Sequence, residues 1–298
     1  MVLAASAGTA EAAVRHEWVA AVPTTWNAVP NGHDALAHDG EGMIEPARSV
    51  FPTVVYRRYT RGWRRPLRNA PRASVDHDKV PGPLLRAREG DRLLVHFKNL
   101  DTLFKRSHSM HFHGVGYRPG SDGVYLPGFP EKGGDVKPGQ TFTYHLRAGP
   151  DSAGVWPYHD HSRSMHESLL GGMYGALSIL GRSERAPDRE FVSVLAPVGE
   201  FQGVNARAFV GNTPIYRARV GDRVQWDVLA IGSEHHTFHV HGHRWRNRGV
   251  PEDTRTLGPA ESFRVKWRED APGTWLYHCH VEEHMAKGMI GLYRVSKR

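Results

Sequence analysis

Residues 275–289, WLYHCHVEEHMAKGM, hold the only cysteine of the chain, Cys279, between His278 and His280. His284 stands five residues after Cys279 and Met289 ten after. Soft thiolate and imidazole donors suit copper, and a long axial thioether tunes its potential. The preceding GTWLY is apolar and aromatic, which predicts a strand. Alternate residues of a strand face opposite sides, so His278 and His280 point one way and Cys279 the other. A metal on Cys279 then lies one residue from metals held by its two neighbours, a geometry suited to passing an electron between centres. A buried thiol with chance neighbours, or a structural zinc site with four protein ligands, would fit the segment alone. The ligands elsewhere decide between these readings.

Four HxH pairs supply them: His111 and His113 in HFHG, His159 and His161 in HDH, His239 and His241 in HVHG, and His278 and His280 in HCH. Each pair presents both rings to one side of a strand. Neutral imidazole is the commonest metal ligand, and eight such rings could hold three metals. His236, three residues before His239, joins Cys279, His284 and Met289 in a two-histidine, cysteine and axial-methionine set. Asp160 occupies the place of Cys279 in the first half of the chain, so only the second half carries that set. His108, His166, His235 and His243 are read as surface groups or neighbours of ligands, and Met110, Met165, Met173 and Met285 as packing.

The elements that position these residues come in two matched series. RAREGDRLLVHF (86–97) returns as RARVGDRVQWDV (217–228), HFHG as HVHG, GVWPYHDH (154–161) as GTWLYHCH (273–280), and GGMYGALSIL (171–180) as KGMIGLYRV (287–295). Four blocks in the same order indicate a duplicated domain. Short alternating strands broken by Gly and Pro turns predict an all-β fold of two tandem Greek-key β-sandwiches. The expected division is a surface arm over 1–45, a first domain over 46–182 opening on a strand at 50–60, a linker GRSERAPDR (181–189), and a second domain over 190–298. Four ligands come from each domain, so the three-metal cluster must lie at a contact between domains.

The 298 residues give a prior of about two domains, and 32 Gly with 20 Pro accord with many turns. The net charge of +8 is scattered, RRYTRGWRR at 57–65 being its densest run, and no nucleic-acid motif accompanies it. A solvated basic face accounts for it, and no nucleic-acid partner is expected. One cysteine excludes an intramolecular disulfide. The opening MVLAASAGTAEAA is similar to the end of a signal peptide, which predicts a secreted or periplasmic protein. No apolar run approaches the roughly 20 residues of a membrane span.

HFHG, HDH, HTFHVHGH and HCHVEEHMAKGM together resemble the four copper motifs of multicopper oxidases. With two domains, residues 50–298 are similar to the small bacterial laccases. The resemblance implies cupredoxin-like domains and four coppers per chain. Type 1 copper would be held by His236, Cys279, His284 and Met289, and type 2 by His111 and His239. The type 3 pair would take His113, His159, His161, His241, His278 and His280. It also implies a homotrimer with clusters between subunits, electron uptake at His284, a redox-active Tyr117, and proton-handling carboxylates at Asp122 and Asp253. SDG and PED are good turns as well, so these two carboxylates have a structural reading beside the functional one.

The implied activity is laccase-like. Phenols or aromatic amines would be oxidised one electron at a time at type 1 copper, and dioxygen reduced to water at the trinuclear cluster. The alternatives are a copper-binding or copper-resistance protein, or a metal-ion oxidase with little phenol turnover. A copper nitrite reductase shares the trimer of two-domain chains, but would not need all four HxH pairs.

Overall fold

In the computed structural model of the chain, residues 12–37, 42–69, 79–128 and 132–297 are described. Two β-sandwiches follow one another. In the first, one sheet orders its strands Val50–Tyr59, Val14–Asn27, Arg92–Asn99 and Thr141–Arg147. The facing sheet orders Leu85–Arg88, Tyr174–Leu180, Gly154–His159 and His111–Phe112. The second sandwich repeats this plan. Phe201–Val204, Arg189–Val198, Arg223–Ala230 and Ser262–Arg268 form one sheet. Ile215–Arg219, Ile290–Ser296, Gly273–Cys279, His236–Val240 and Thr254–Leu257 form the other.

Period-two patterning builds these layers. Along Arg92–Asn99, Leu93, Val95 and Phe97 are buried, while Arg92, Leu94, His96 and Lys98 turn outward, as a half-buried strand requires. One buried cluster fills each sandwich, around Phe97, Phe112 and Tyr158 in the first and Trp226, Phe238 and Tyr277 in the second. A third cluster lies between them, joining Trp26, Val55 and Tyr174 to Val194, Phe201 and Leu229. Arg264 locks the same seam. Its guanidinium pairs with Asp227 at 2.7 Å and 3.0 Å and donates to the Ile179 carbonyl and Ser178 Oγ.

The expected surface arm over 1–45 is corrected by the structure. Val14–Asn27 is an inner strand, parallel to Arg92–Asn99 and antiparallel to Val50–Tyr59. Its counterpart Arg189–Val198 is placed identically, parallel to Arg223–Ala230 and antiparallel to Phe201–Val204. The repeat therefore begins well before residue 46. Both faces of the strand are covered at its middle, where Val19, Ala20 and Ala21 are all fully buried. That erases the alternation by which a half-buried strand is read. Residues 1–11 of the leader-like opening lie outside the described residues. Among the described residues no helix is long and apolar enough to cross a membrane.

Candidate metal centres

Strand Gly273–Cys279 ends on Cys279, whose side chain enters the second core while His278 turns away from it. Phe238 is the cross-strand partner of Cys279 and His239 that of His278, which fixes the parity of both motifs. The short helix Glu282–Ala286 then turns His284 back over the strand end. His284 Nδ1 lies 3.6 Å and His236 Nδ1 3.9 Å from Cys279 Sγ, and the two ring nitrogens are 3.1 Å apart. Met289 is fully buried beside them, and its carbonyl accepts the Cys279 N–H at 3.0 Å. Burial above all, then the His284 and His235 rings, lowers His236 to about 4. The ring is neutral at physiological pH and available as a ligand.

Two further groups stand at the matched ends of the two domains. His111 pairs across strands with His159, and His239 with His278. The ligand atoms of His111, His113 and His159 lie within 4.8 Å of one another, as do those of His239, His241 and His278. His161 stands beside the first group, its ring 5.4 Å from His111, and His280 beside the second, 5.2 Å from His278. The outer nitrogens are tethered. His111 Nδ1–H donates to the Asp122 carbonyl at 2.7 Å and His239 Nδ1–H to the Asp253 carbonyl at 2.7 Å. His159 and His278 donate likewise to the carbonyls of Asp160 and Cys279. Such tethers fix tautomer and orientation, leaving Nε2 as the ligand atom.

The donor sets fit copper. The bare Nε2 atoms of His159 and His278 face His113 at 3.3 Å and His241 at 3.1 Å. Burial, with the neighbouring histidines, lowers His113 and His159 to about 4 and holds His241 and His278 below the ordinary histidine range. At the third group a thiol and two imidazoles converge, and buried His236 Nε2 has no hydrogen-bond partner among the described residues. Soft, neutral, convergent donors of this kind select copper over hard cations.

The remaining expected residues are distributed unevenly. Tyr117 lies 6.2 Å, ring to ring, from His111, and burial with the Asp122 carboxylate pushes its hydroxyl up to about 12. Asp122 Oδ1 is 3.3 Å from His111 Nδ1. Asp253 is exposed, touching its histidine through the backbone carbonyl alone. His166 and His235 are exposed, whereas His243 is buried against Glu269 at 3.1 Å. His108, expected as a surface group or a neighbour of ligands, is the latter, bonded to Asp160 between His159 and His161. It stands three residues before His111 in HSMHFH, as His236 does before His239 in HTFHVH, and it is fully enclosed between Asp101 and Asp160. Glu234 was missed altogether. Its Oε2 lies 3.3 Å from His284 Nε2, on the rim of a cavity of about 470 Å³ lined by Met165, Leu169, Pro197 and Ile231.

Sequence profiles described as multicopper oxidase match residues 60–184 and 184–298. A probable nitrite reductase-hydroxylamine oxidoreductase fusion protein of Kuenenia stuttgartiensis is 32% identical over 74% of this chain and 28% of its own length. Ferroxidase HEPHL1 of Homo sapiens is 27% identical over 95% of this chain and 29% of its own, and human ceruloplasmin 28% over 94% and 30%. The chain thus spans under a third of these relatives. Among solved structures, a multicopper oxidase (TM-score 0.71, 23% identity) covers 95% of this chain and 89% of its own. Copper nitrite reductase from Nitrosomonas europaea (TM-score 0.71, 20% identity) covers 95% and 94%. At such identities the structural likeness is one of fold.

Proposed function

Since the chain belongs to the multicopper oxidase family, we propose that it oxidises a divalent metal ion, ferrous iron foremost, with dioxygen as acceptor. Family and ligand groups together make it a copper-dependent oxidoreductase that couples substrate oxidation to dioxygen reduction. The proposal concerns which reductant it takes. The observation that carries it is the Glu234 carboxylate on the cavity wall, whose Oε2 lies 3.3 Å from His284 Nε2. A carboxylate oxygen is a donor for a hard cation, and Glu234 is 51% exposed. Relatives named ferroxidase support the same reading.

His236, Cys279, His284 and Met289 would hold type 1 copper. His111 and His239 would hold type 2, and His113, His159, His161, His241, His278 and His280 the type 3 pair, four coppers per chain. Copper, when bound, supplies one-electron redox chemistry beside Cys279 and dioxygen reduction among the histidines. Cys279 is bonded to His278 and His280 and so joins the two sites through one strand. Reduction to water consumes protons. Asp122, backed by the protonated Tyr117 hydroxyl, and Asp253 flank the type 2 histidines and hold them. Ring contacts link 111, 113, 159 and 161 to one another, and 239, 241, 278 and 280 to one another, with none between the sets among the described residues. Each set is half a cluster, which favours assembly with another copy as a homotrimer. The leader-like start favours an exported protein.

The apolar lining of the cavity favours a second reading, in which a phenol or aromatic amine is the reductant. Oxygen uptake by copper-loaded protein separates the two, with nitrite as the control acceptor. Ferrous iron should sustain uptake, and Glu234→Gln should raise its KM on the order of tenfold while leaving phenol rates unchanged. Phenol turnover far above iron turnover, with no effect of Glu234→Gln on iron, would overturn the metal-ion reading.

A further inference from the structure

Away from the metal groups, the outer edge of the first domain gathers positive charge without a counter-charge. Arg92 and Arg147 are cross-strand partners on strands Arg92–Asn99 and Thr141–Arg147. Like charges directly opposed in a sheet destabilise it. A third guanidinium is brought in by the backbone. Gly116 and Arg147 exchange both N–H···O bonds, at 2.9 Å and 2.8 Å, which folds residues 116–118 back over the pair and sets Arg118 at the start of the turn Pro119–Ser121. The three arginines, with His145, Ser121 and Tyr117, line a cavity of about 430 Å³.

No aspartate or glutamate lines that cavity. None of the three guanidiniums makes an ion pair or hydrogen bond among the described residues. The carboxylates next to this lining in sequence, Asp91 and Asp122, are committed. Asp91 accepts the N–H groups of Ala13 and Arg88 and pairs with Arg15. Asp122 is bonded to Tyr117 and lies against His111. Ser121 Oγ accepts the His145 N–H at 3.0 Å, so its hydroxyl hydrogen remains to be donated.

We infer that this cavity is a binding site for a phosphate-class oxyanion, with Arg92, Arg118 and Arg147 as its cationic clamp. Planar guanidinium forks match tetrahedral oxyanions bidentately, and charge-assisted bonds of this kind are the strong ones. A multivalent anion also removes the repulsion that the Arg92–Arg147 pair otherwise imposes. The volume exceeds what one phosphate fills, so it accommodates the phosphate group either as the free ion or as part of a larger phosphorylated molecule.

The experiment is calorimetric titration of the copper-loaded protein at constant ionic strength, with inorganic phosphate in one arm, a nucleoside diphosphate in another, and chloride as control. Saturable binding of one phosphate group per chain is expected, with a rise in melting temperature. Nucleoside diphosphate binding tighter than phosphate identifies a phosphorylated molecule as the source, and equal binding the free ion. Arg147→Gln and Arg118→Gln should each weaken binding on the order of tenfold with copper content and visible spectrum unchanged. Without phosphate, Arg147→Gln should raise the melting temperature, because it relieves the like-charge pair. The inference falls if phosphate gives no saturable signal beyond chloride, or if the glutamine variants bind it as tightly as the parent.

Discussion

The two domains place different chemistry at the same point of a duplicated fold. In the second domain that point holds His236, Cys279 and Met289, and in the first His108, Asp160 and Met173. The backbone is kept: Cys279 N–H donates to the Met289 carbonyl, and Asp160 N–H to that of Met173, each at 3.0 Å. The side chains diverge. Cys279 Sγ receives one backbone N–H, from Thr237 at 3.3 Å, with the Thr237 hydroxyl at 4.0 Å, and otherwise faces the ring nitrogens of His236 and His284. Asp160 is saturated by Ser109 N–H and Oγ, Ser162 N–H and Oγ, and His108. His108 turns its other nitrogen to Asp101 at 3.1 Å. A carboxylate only accepts, so each ring nitrogen of His108 faces an acceptor. One site is left short of hydrogen donors, as a metal site would be, while the other has its carboxylate fully hydrogen-bonded.

The largest effect should come from Cys279→Ser, which removes the soft donor and leaves every HxH histidine. Blue absorption and oxidase turnover should fall to background while the copper held by histidines remains, as metal analysis and electron paramagnetic resonance can show. Normal turnover in this variant would mean that electrons bypass the strand 278–280. His161→Ala divides the sites the other way: blue colour should persist and oxygen uptake disappear. Retained oxygen reduction would remove His161 from the cluster.

Stability tests the first-domain site. His108→Leu strands two buried carboxylates, and breaking a buried charge network in this way costs about 3–5 kcal/mol. The matched His236→Leu, in copper-free protein, removes a neutral ring whose Nε2 already lacks a partner. It breaks the contacts with His284 at 3.1 Å and Cys279 at 3.9 Å and should cost less, about 1–3 kcal/mol. Denaturant unfolding of the copper-free pair measures both, and equal losses would refute the contrast.

These differences show which features a sequence carries. The HxH pairs were legible because ligand spacing and strand parity are the same periodicity, and the repeat displayed each pair twice. Strand Val14–Asn27 was not, because Ala20 and Ala21 are both buried and break the alternation. His108 had a usable signal in HSMHFH against HTFHVH, but the eye follows Cys279, and its absence at 160 hid the rest of the matched set. Glu234 had none. Its approach to His284 depends on how residues 231–235 and the helix Glu282–Ala286 meet, a tertiary fact with no spacing to betray it.

Acid should separate the two sites in copper-free protein. His236 falls to about 4 in the fold, below an unfolded histidine near 6.5. The unfolded chain therefore binds the extra proton between those values. Stability is full above about pH 6.5 and is lost as pH falls toward 4, by roughly 3 kcal/mol. Burial alone would raise the Asp101 carboxyl, but the N–H groups of Arg106 and Phe104, and then His108, outweigh it and hold it lowered. Its contribution is full above the unfolded carboxylate pKa near 4 and is lost only as pH falls below that. His113 and His159, also lowered to about 4, add to the same loss, so unfolding free energies followed from pH 7 to 3 should show it reduced, not abolished, by His236→Leu and the second untouched by it. A single acid transition insensitive to His236→Leu would contradict this division.

The smallest and finest comparison is one substitution made twice. Met173 and Met289 are both fully buried, both end the same GGM or KGM turn, and both offer their carbonyl to the residue at the strand end. Methionine to leucine conserves volume, so each replacement should cost under about 1.5 kcal/mol. As packing the two sites should be indistinguishable. As chemistry they should not be. At 289 the thioether would be the weak axial donor of the proposed copper site, so Met289→Leu should stay blue, shift its potential upward and alter substrate rates. At 173 the side chain belongs to the apolar core of the first domain, which has no cysteine, so Met173→Leu should leave spectrum, potential and rates unchanged. Redox titration of the type 1 signal in both variants decides it. A shift from Met173→Leu equal to that from Met289→Leu would show that the potential answers to domain packing, not to the sulfur beside Cys279.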